Sequence, residues 1–321
     1  MKVRKAVITA AGRGTRQYPA TSIVQKELLP LVDRDGLTKP VIQIICEEAM
    51  EAGIEQICIV VSPGDEEQFR QYFRGLSKEM LPSFAGKEWA LKASEQLARL
   101  QQALSFVVQE KPEGYGHAVY QARDFCGDEP FLLLLGDHIY ISYEQDRCAK
   151  QLIDAFGLSG AEALSAVKPT PASLLHLFGT MKGTPLNGAG RLYRVEAIRE
   201  KPTPAYAREN LATPGLASGM YLCHFGMHVF GPAIYQALEK QIRDNQREKG
   251  EIQLTSAQDL MRQHIAKYYC FEAEGERYDT GIPFGLMETQ IALALAGVHR
   301  PEIVESLARL LTQQLATVRK Q

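Results

Sequence analysis

Two cations, Arg16 and Lys26, stand ten residues apart on either side of a polar turn, and the first closes a loop of small residues, Thr9-Ala10-Ala11-Gly12-Arg13-Gly14-Thr15. Such a loop has almost no side-chain volume, so a ligand can lie against its main chain and its N–H groups can point at phosphate oxygens. The apolar run before it, Ala6-Val7-Ile8, has the length and bulk of a buried strand. A strand, a small-residue loop and fixed cations make a polyphosphate site, with Ala10, Ala11, Gly12, Gly14 and Thr15 supplying the main chain. A Gly-x-Gly after a strand does not decide this by itself. The loop is not a P-loop, which needs Gly-Lys-Ser/Thr after four spacer residues, and it lacks the third Gly of the dinucleotide fingerprint. The second strand, Ile57 to Val61, ends in Ser62-Pro63 where a dinucleotide fold would put an acidic residue.

Three more places carry chemistry. Gln109 offers a donor and an acceptor on one amide, suited to a pyrimidine edge, and Gly114 and Gly116 let main chain approach a flat base or ribose. An ordinary Pro-Gly turn accounts for the same residues. Asp137 follows five apolar residues, where an unpaired carboxylate is expensive to bury. A helix N-cap is the plain alternative; Mg²⁺, which takes one or two carboxylates plus phosphate oxygens, is the other, with Asp279 in Tyr278-Asp279-Thr280-Gly281 as a second ligand. Glu200-Lys201-Pro202 follows an alternating strand and puts a carboxylate beside an ammonium: Glu200 can accept from sugar hydroxyls and Lys201 can pair with a phosphate dianion. Glu-Lys is also a common surface pair.

Taken together, AAGRGTRQYPAT, QKELLPLVD, the Gln109–Gly114 spacing followed by His117-Ala118, and Glu200-Lys201-Pro202 resemble the sugar-nucleotide pyrophosphorylases. These nucleotidyltransferases join a sugar 1-phosphate to a nucleoside triphosphate, and the wording here is nearest the branch that uses UTP and glucose 1-phosphate. The resemblance runs in order over about 280 residues. It implies that Gln109 reads the uracil and Gly114 packs on the nucleotide, while Asp137 and Asp279 hold the metal. It also implies that Glu200 and Lys201 contact sugar and sugar phosphate, and that Gly179 and Gly219 are the two glycines against which the hexose lies. Gly250 to Thr255 matches as well and reads as a capped helix start; His117 reads as structural, or as a minor phosphate contact, and not as a general base.

The elements that must position these groups form an α/β fold: a Rossmann-like mixed, mainly parallel sheet flanked by helices, with a helical C-terminal tail. A strand, a helix ending near Ala52-Gly53 and a second strand fill the first 61 residues, the mark of a parallel sheet with helices on its faces. Further strands are expected at 106–108, 131–135, 163–167, 190–198 and 220–223, and helices at 66–73, 234–243, 255–266, 284–296 and 301–318. Residues 74–104 read as a helical excursion with no chemical role. One domain is expected, with a nucleotide-binding half at 1–140, a sugar-phosphate half at 141–283 and the tail at 284–321. The stripe Ile303, Leu307, Leu310, Leu311 and Leu315 on the last helix caps the domain or meets a second copy, giving a homo-oligomer.

Bulk properties exclude other classes. A net charge of −2 and no basic run of five argue against a nucleic-acid or membrane surface. No apolar stretch approaches a membrane span, and the chain runs from Met1 straight into its first strand without a signal peptide, so a cytoplasmic protein is expected. Six scattered cysteines without C-x-x-C spacing read as reduced core residues.

The chemistry implied by the resemblance needs no covalent intermediate. A sugar phosphate oxygen attacks the α-phosphorus and pyrophosphate leaves in line, so the protein must position two polyanions and neutralise them. Arg16 would hold the leaving phosphates, Lys26 would bridge the α-phosphate and leaving group, and Lys201 would aim the nucleophile. Two other readings remain open: transfer from another triphosphate or to another hexose 1-phosphate, and a non-catalytic sugar-nucleotide sensor on the same fold.

Overall fold

The computed structural model describes residues 2–186 and 190–318; Met1 and the last three residues of the expected tail lie outside it. In chain order the elements are β1 (Lys5–Ala10), β2 (Pro30–Val32), β3 (Thr38–Pro40), α1 (Val41–Glu51), β4 (Gln56–Val61), α2 (Glu66–Phe73), α3 (Glu88–Ala103), β5 (Leu104–Val108), α4 (Tyr115–Gln121), α5 (Arg123–Cys126) and β6 (Phe131–Leu135). There follow β7 (His138–Ser142), α6 (Cys148–Ser159), β8 (Ala163–Pro171), β9 (Gly179–Pro185), β10 (Leu192–Glu200), α7 (Pro204–Asn210) and β11 (Met220–Phe230). The chain closes with α8 (Ala233–Arg243), α9 (Leu254–Arg262), β12 (Tyr268–Glu272), β13 (Gly275–Asp279), α10 (Pro283–Ala296) and α11 (Arg300–Val318).

Nine strands form one sheet in the order β5-β4-β1-β6-β11-β8-β12-β10-β9. The first four are parallel, as a βαβ repeat requires. Beyond β6 the only parallel pair among the described residues is β8 with β12; β11, β10 and β9 pair antiparallel. The expectation of a mainly parallel sheet is therefore corrected: parallel pairing belongs to the N-terminal half, and the sheet as a whole is mixed. Successive side chains of β1 point to opposite faces. Ala6, Ile8 and Ala10 join the core shared with α1 and α6, and Val7 joins the core shared with α4, α8 and α9. Covering both faces explains why β1, β4 and β6 read as continuous apolar runs.

Strand β7 and helix α6 fall where no element was expected, and β9 runs through a Gly- and Pro-containing segment. β7 lies outside the main sheet and among the described residues pairs only with β13, antiparallel, matching His138 to Asp279. That pairing brings the two candidate metal ligands together. All six cysteines are buried and unpaired. Among the described residues no helix is long and apolar enough to cross a membrane.

Candidate functional site

In an open α/β sheet, ligands bind beyond the carboxyl ends of the parallel strands. The loop after β1, Gln109 after β5 and Asp137 after β6 all lie at that edge. A cavity of about 330 Å³ opens there, lined by Ala11, Gly12, Lys26, Gln109, Gly114 and Asp137 among others. A second cavity, about 460 Å³, adjoins it and shares Tyr115 and Leu135 with it. Its walls include Arg16, Gly179, Glu200, Lys201, His224 and Asp279. The two do not divide along the expected halves: Glu251 lines the first, and Arg16 and Tyr115 line the second. A larger cavity of about 630 Å³ lies elsewhere and contains none of the expected site residues; its cations Lys39 and Arg147 are already paired with its own carboxylates.

Lys26 starts a single 3-10 turn, Lys26–Leu28, and its ammonium is ion-paired with Asp137 Oδ2. Gly12 packs directly against this side chain, since a Cβ there would sit 3.4 Å from Lys26 Nζ. The Lys26 side chain is 12% exposed. Burial pulls its ammonium down, but Asp137 and Glu27 beside it outweigh that and raise it, so it stays charged. Burial likewise works against the Asp137 carboxylate, and His138 Nδ1 at 3.1 Å together with Lys26 holds it well below the usual range. The Asp137 carbonyl accepts from Thr280 N at 2.8 Å and Thr280 Oγ1 at 2.9 Å, and the Thr280 carbonyl accepts from Gln17 Nε2 at 2.7 Å. This chain of bonds ties the turns of Arg16, Asp137 and Asp279 to one another.

Asp137, His138 and Asp279 offer ligand atoms that all lie within 4.8 Å of one another. Two carboxylates so close form a donor set that suits a hard divalent cation sharing phosphate oxygens, while Arg16 Nη1, 4.0 Å from Asp279, adds positive charge for the phosphates themselves. Asp279 Oδ1 also accepts from Gly281 N at 2.8 Å, which fixes its rotamer.

Glu27 is fully buried, and neither of its carboxylate oxygens makes a hydrogen bond. Burial pushes this carboxyl up to about 8, even with Lys26 Nζ at 3.4 Å, because Asp137 already neutralises that ammonium. The folded-state value is raised above the ordinary 4.5, so the folded protein keeps a proton that the unfolded chain releases. Stability is then expected to fall as pH rises from about 4.5 to about 8. Glu27→Gln removes that slope, so urea midpoints across the window should converge on or overtake the wild type at the alkaline end. Parallel curves for the two proteins would refute the reading.

The other expected residues divide as follows. Gln109 Nε2 donates to the Gly114 carbonyl at 3.2 Å and lies 3.0 Å from His117 Nδ1, so the His117 ring is held between Gln109 and Gln121. Gly114 lines the first cavity, yet a Cβ there would first strike Glu251 Cβ at 2.7 Å and Ile252 O at 2.8 Å. The segment 250–255 thus packs over the Gly114 turn, with Ile252 N donating to Glu113 O. It is not a side-chain-capped helix start, because Gln253 at the head of α9 makes no capping bond. Ala10 ends β1 buried, Gly14 has φ +60° under Thr21, and Thr15 opens the next turn; none of the three lines either cavity. Glu200 accepts from Thr255 Oγ1 at 2.7 Å, and Lys201 follows it with φ +42°.

Gly219 is not at the site. It has φ +80° in the turn before β11, with open space around it. The glycine that β11 brings to the second cavity is Gly226, φ +89°, where a Cβ would meet Leu135 and the Tyr140 hydroxyl at 3.1 Å. A register shift between His224 and His228 makes Gly226 part of a bulge, which turns this stretch toward the cavity.

Two further cavity residues escaped the sequence reading. Arg277 donates to the His224 carbonyl at 2.7 Å and stacks on Phe178, 4.1 Å from the ring centroid. It stands two residues before Asp279 on β13, so strand alternation puts both on one face. His224 has no such signal beyond being polar in an apolar strand.

A family model described as nucleotidyl transferase matches residues 5–294. The chain is 36% identical over 316 residues to UTP--glucose-1-phosphate uridylyltransferase of Bacillus subtilis, covering 98% of this chain and 99% of that one. It is 35% identical over 316 residues to the protein of the same name from Streptococcus pneumoniae serotype 4, covering 97% and 96%. The fold matches a UDP-glucose pyrophosphorylase complexed with UDP-glucose at TM-score 0.72 and 27% identity, over 90% of this chain and 98% of that one. It also matches a UTP-bound UGPase from Acinetobacter baumannii at TM-score 0.75 and 25% identity, over 95% and 98%.

Proposed function

The chain belongs to the nucleotidyl transferase family, and from that premise we propose that it transfers the uridylyl group of UTP to glucose 1-phosphate, giving UDP-glucose and pyrophosphate. The observation that carries this reading is the junction of two cavities at Lys26, Asp137 and Asp279, one of them lined by Gln109 and the other by Glu200 and Lys201. Two phosphorylated reactants need such a junction, because the new bond forms between them.

UTP occupies the first cavity, its base against Gln109 and Gly114 and its phosphates along the main chain of Ala11 to Arg13, the part of the loop that lines it. Glucose 1-phosphate occupies the second, its hydroxyls toward Glu200 and Gly179 and its phosphate on Lys201. The phosphate oxygen attacks the α-phosphorus, and pyrophosphate leaves opposite it. Lys26 bridges the α-phosphate and the leaving group, and Arg16, mostly exposed at the mouth, holds the departing phosphates. Glucose 1-phosphate is already ionised at neutral pH, so no general base is needed. Mg²⁺ is the cofactor, with Asp137 and Asp279 as its protein ligands, and when bound it offsets phosphate charge. The chain works as one domain, with the nucleotide cavity drawn mainly from 1–140, the sugar-phosphate cavity mainly from 141–283 and the tail at 284–321, while Arg16, Tyr115 and Glu251 cross between the halves. The exposed Leu310, Leu311 and Leu315 of α11 support a homo-oligomer.

The test is pyrophosphate release across a grid of nucleoside triphosphates and hexose 1-phosphates, with and without Mg²⁺. UTP with glucose 1-phosphate and Mg²⁺ is expected to give the largest kcat/KM. Tight UTP binding with no pyrophosphate from any pair would mean a sensor instead.

A further inference from the structure

One polar group in the wall of the second cavity has no work in the scheme above. His224 Nε2 is sealed from solvent and makes no hydrogen bond, and Nδ1 has no hydrogen-bond partner among the described residues either. The ring is held nonetheless. Arg277 fixes the His224 main chain through its carbonyl, and the His228 ring lies edge-on at 5.1 Å. His228 is itself anchored, with its Nδ1 2.8 Å from Ser165 Oγ and 3.2 Å from Gln258 Nε2, so it leaves the neighbouring imidazole without a partner.

Beside His224 on the neighbouring strand stands Gly179, since β9 pairs Thr180 with Cys223. A Cβ on it would sit 2.7 Å from His224 Nδ1 and 3.1 Å from Glu200 Oε2. The missing side chain therefore keeps a gap open between the imidazole and a carboxylate. Burial, helped by the Arg277 charge, pushes the imidazole down to about 3, so at neutral pH it is uncharged and presents one N–H and one lone pair. The ring atom at the gap is Nδ1, and an Nδ1–H there can donate to a hydroxyl that in turn donates to the Glu200 carboxylate, so the two walls together match one hydroxyl. Left empty, a buried polar atom costs the full desolvation of that group.

We propose that His224 hydrogen-bonds a ring hydroxyl of the hexose 1-phosphate and so helps decide which hexose is used. The inference rests on the reading that this cavity takes the sugar phosphate. The bulge at 225–227 is the device that aims the ring, by breaking the β11 register at this point.

The experiment measures kcat/KM of the full-length chain, with UTP and Mg²⁺, for glucose 1-phosphate and its 2-, 3-, 4- and 6-deoxy analogues. Wild type, His224→Leu and His224→Gln are compared. His224→Leu is expected to lose roughly ten- to hundredfold on glucose 1-phosphate, yet little on the one analogue that lacks the contacted hydroxyl. His224→Gln, which keeps a donor and an acceptor, should recover part of the loss, and the KM for UTP should not move. Equal losses on every analogue, or no loss at all, would overturn the assignment. If His224→Leu does not fold, the same comparison is made with His224→Gln, whose uniform loss across analogues would also overturn it. A wild type that turns over no hexose 1-phosphate would instead sink the underlying function, a distinguishable result.

Discussion

Lys26→Ala is expected to lower kcat/KM by about two to four orders of magnitude, roughly 3–5 kcal/mol of transition-state stabilisation, as the loss of one preorganised charge in a dry site does. The side chain is nearly sealed, at 12% exposed, and its ammonium is pinned on Asp137 before substrate arrives. A charge that is already oriented needs no reorganisation as the α-phosphorus becomes five-coordinate. Lys26→Arg is not expected to rescue, because the ammonium sits in a nearly sealed pocket between Asp137 and Glu27, and a planar guanidinium is wider than an ammonium. The check is steady-state kinetics beside a thermal melt and a UTP-binding titration. Near wild-type turnover in a folded Lys26→Ala variant would remove the central role given to this residue.

How much of this was readable beforehand follows from what each element depends on. β6 at Phe131–Leu135 and α2 at Glu66–Phe73 carry their own signals, an apolar run in the one and helical period after Pro-Gly-Asp in the other, and both have the expected bounds. β7 does not: its five residues form a strand because β13 lies beside it, more than 130 residues later. β9 contains Gly179, Gly183 and Pro185, which weaken any strand signal, and it is a strand because β10 and β11 flank it. α6 had a signal that was passed over, Leu152 and Phe156 four apart on a buried face. The same logic separates the site residues. Lys26, Asp137, Glu200, Lys201 and Asp279 sit at strand ends or turns and were found by type and position. Gly226 was missed for Gly219, since a glycine inside a bulge looks like any glycine in a strand until the register of the neighbouring strand is known.

Asp137→Asn should reveal how the buried charges share their load. The carboxylate normally faces Lys26 and His138, and Thr280 grips its main chain, so asparagine fits the same space but carries no charge. Stripping the partner from a buried ammonium costs about 3–5 kcal/mol when nothing replaces it. Here Glu27 is 3.4 Å from the same ammonium, and the Asp137 charge is one of the causes that keep its carboxyl high. Without that charge Glu27 ionises more easily and takes over the pairing. Asp137→Asn alone is therefore expected to lose only about 1–3 kcal/mol of stability, and the double variant Asp137→Asn/Glu27→Gln the full amount. Activity should not follow stability. Glu27 is not among the carboxylates that can share a cation with Asp279, so kcat should drop roughly a hundred- to a thousandfold in the single variant, with more Mg²⁺ needed for half-maximal rate. Urea unfolding of the wild type, the three variants and a Mg²⁺ titration of rate make the measurement. Additive stability losses in the double variant would show that Glu27 and Asp137 do not compete for Lys26. Undiminished turnover in Asp137→Asn would show that this carboxylate serves the fold and not the transfer.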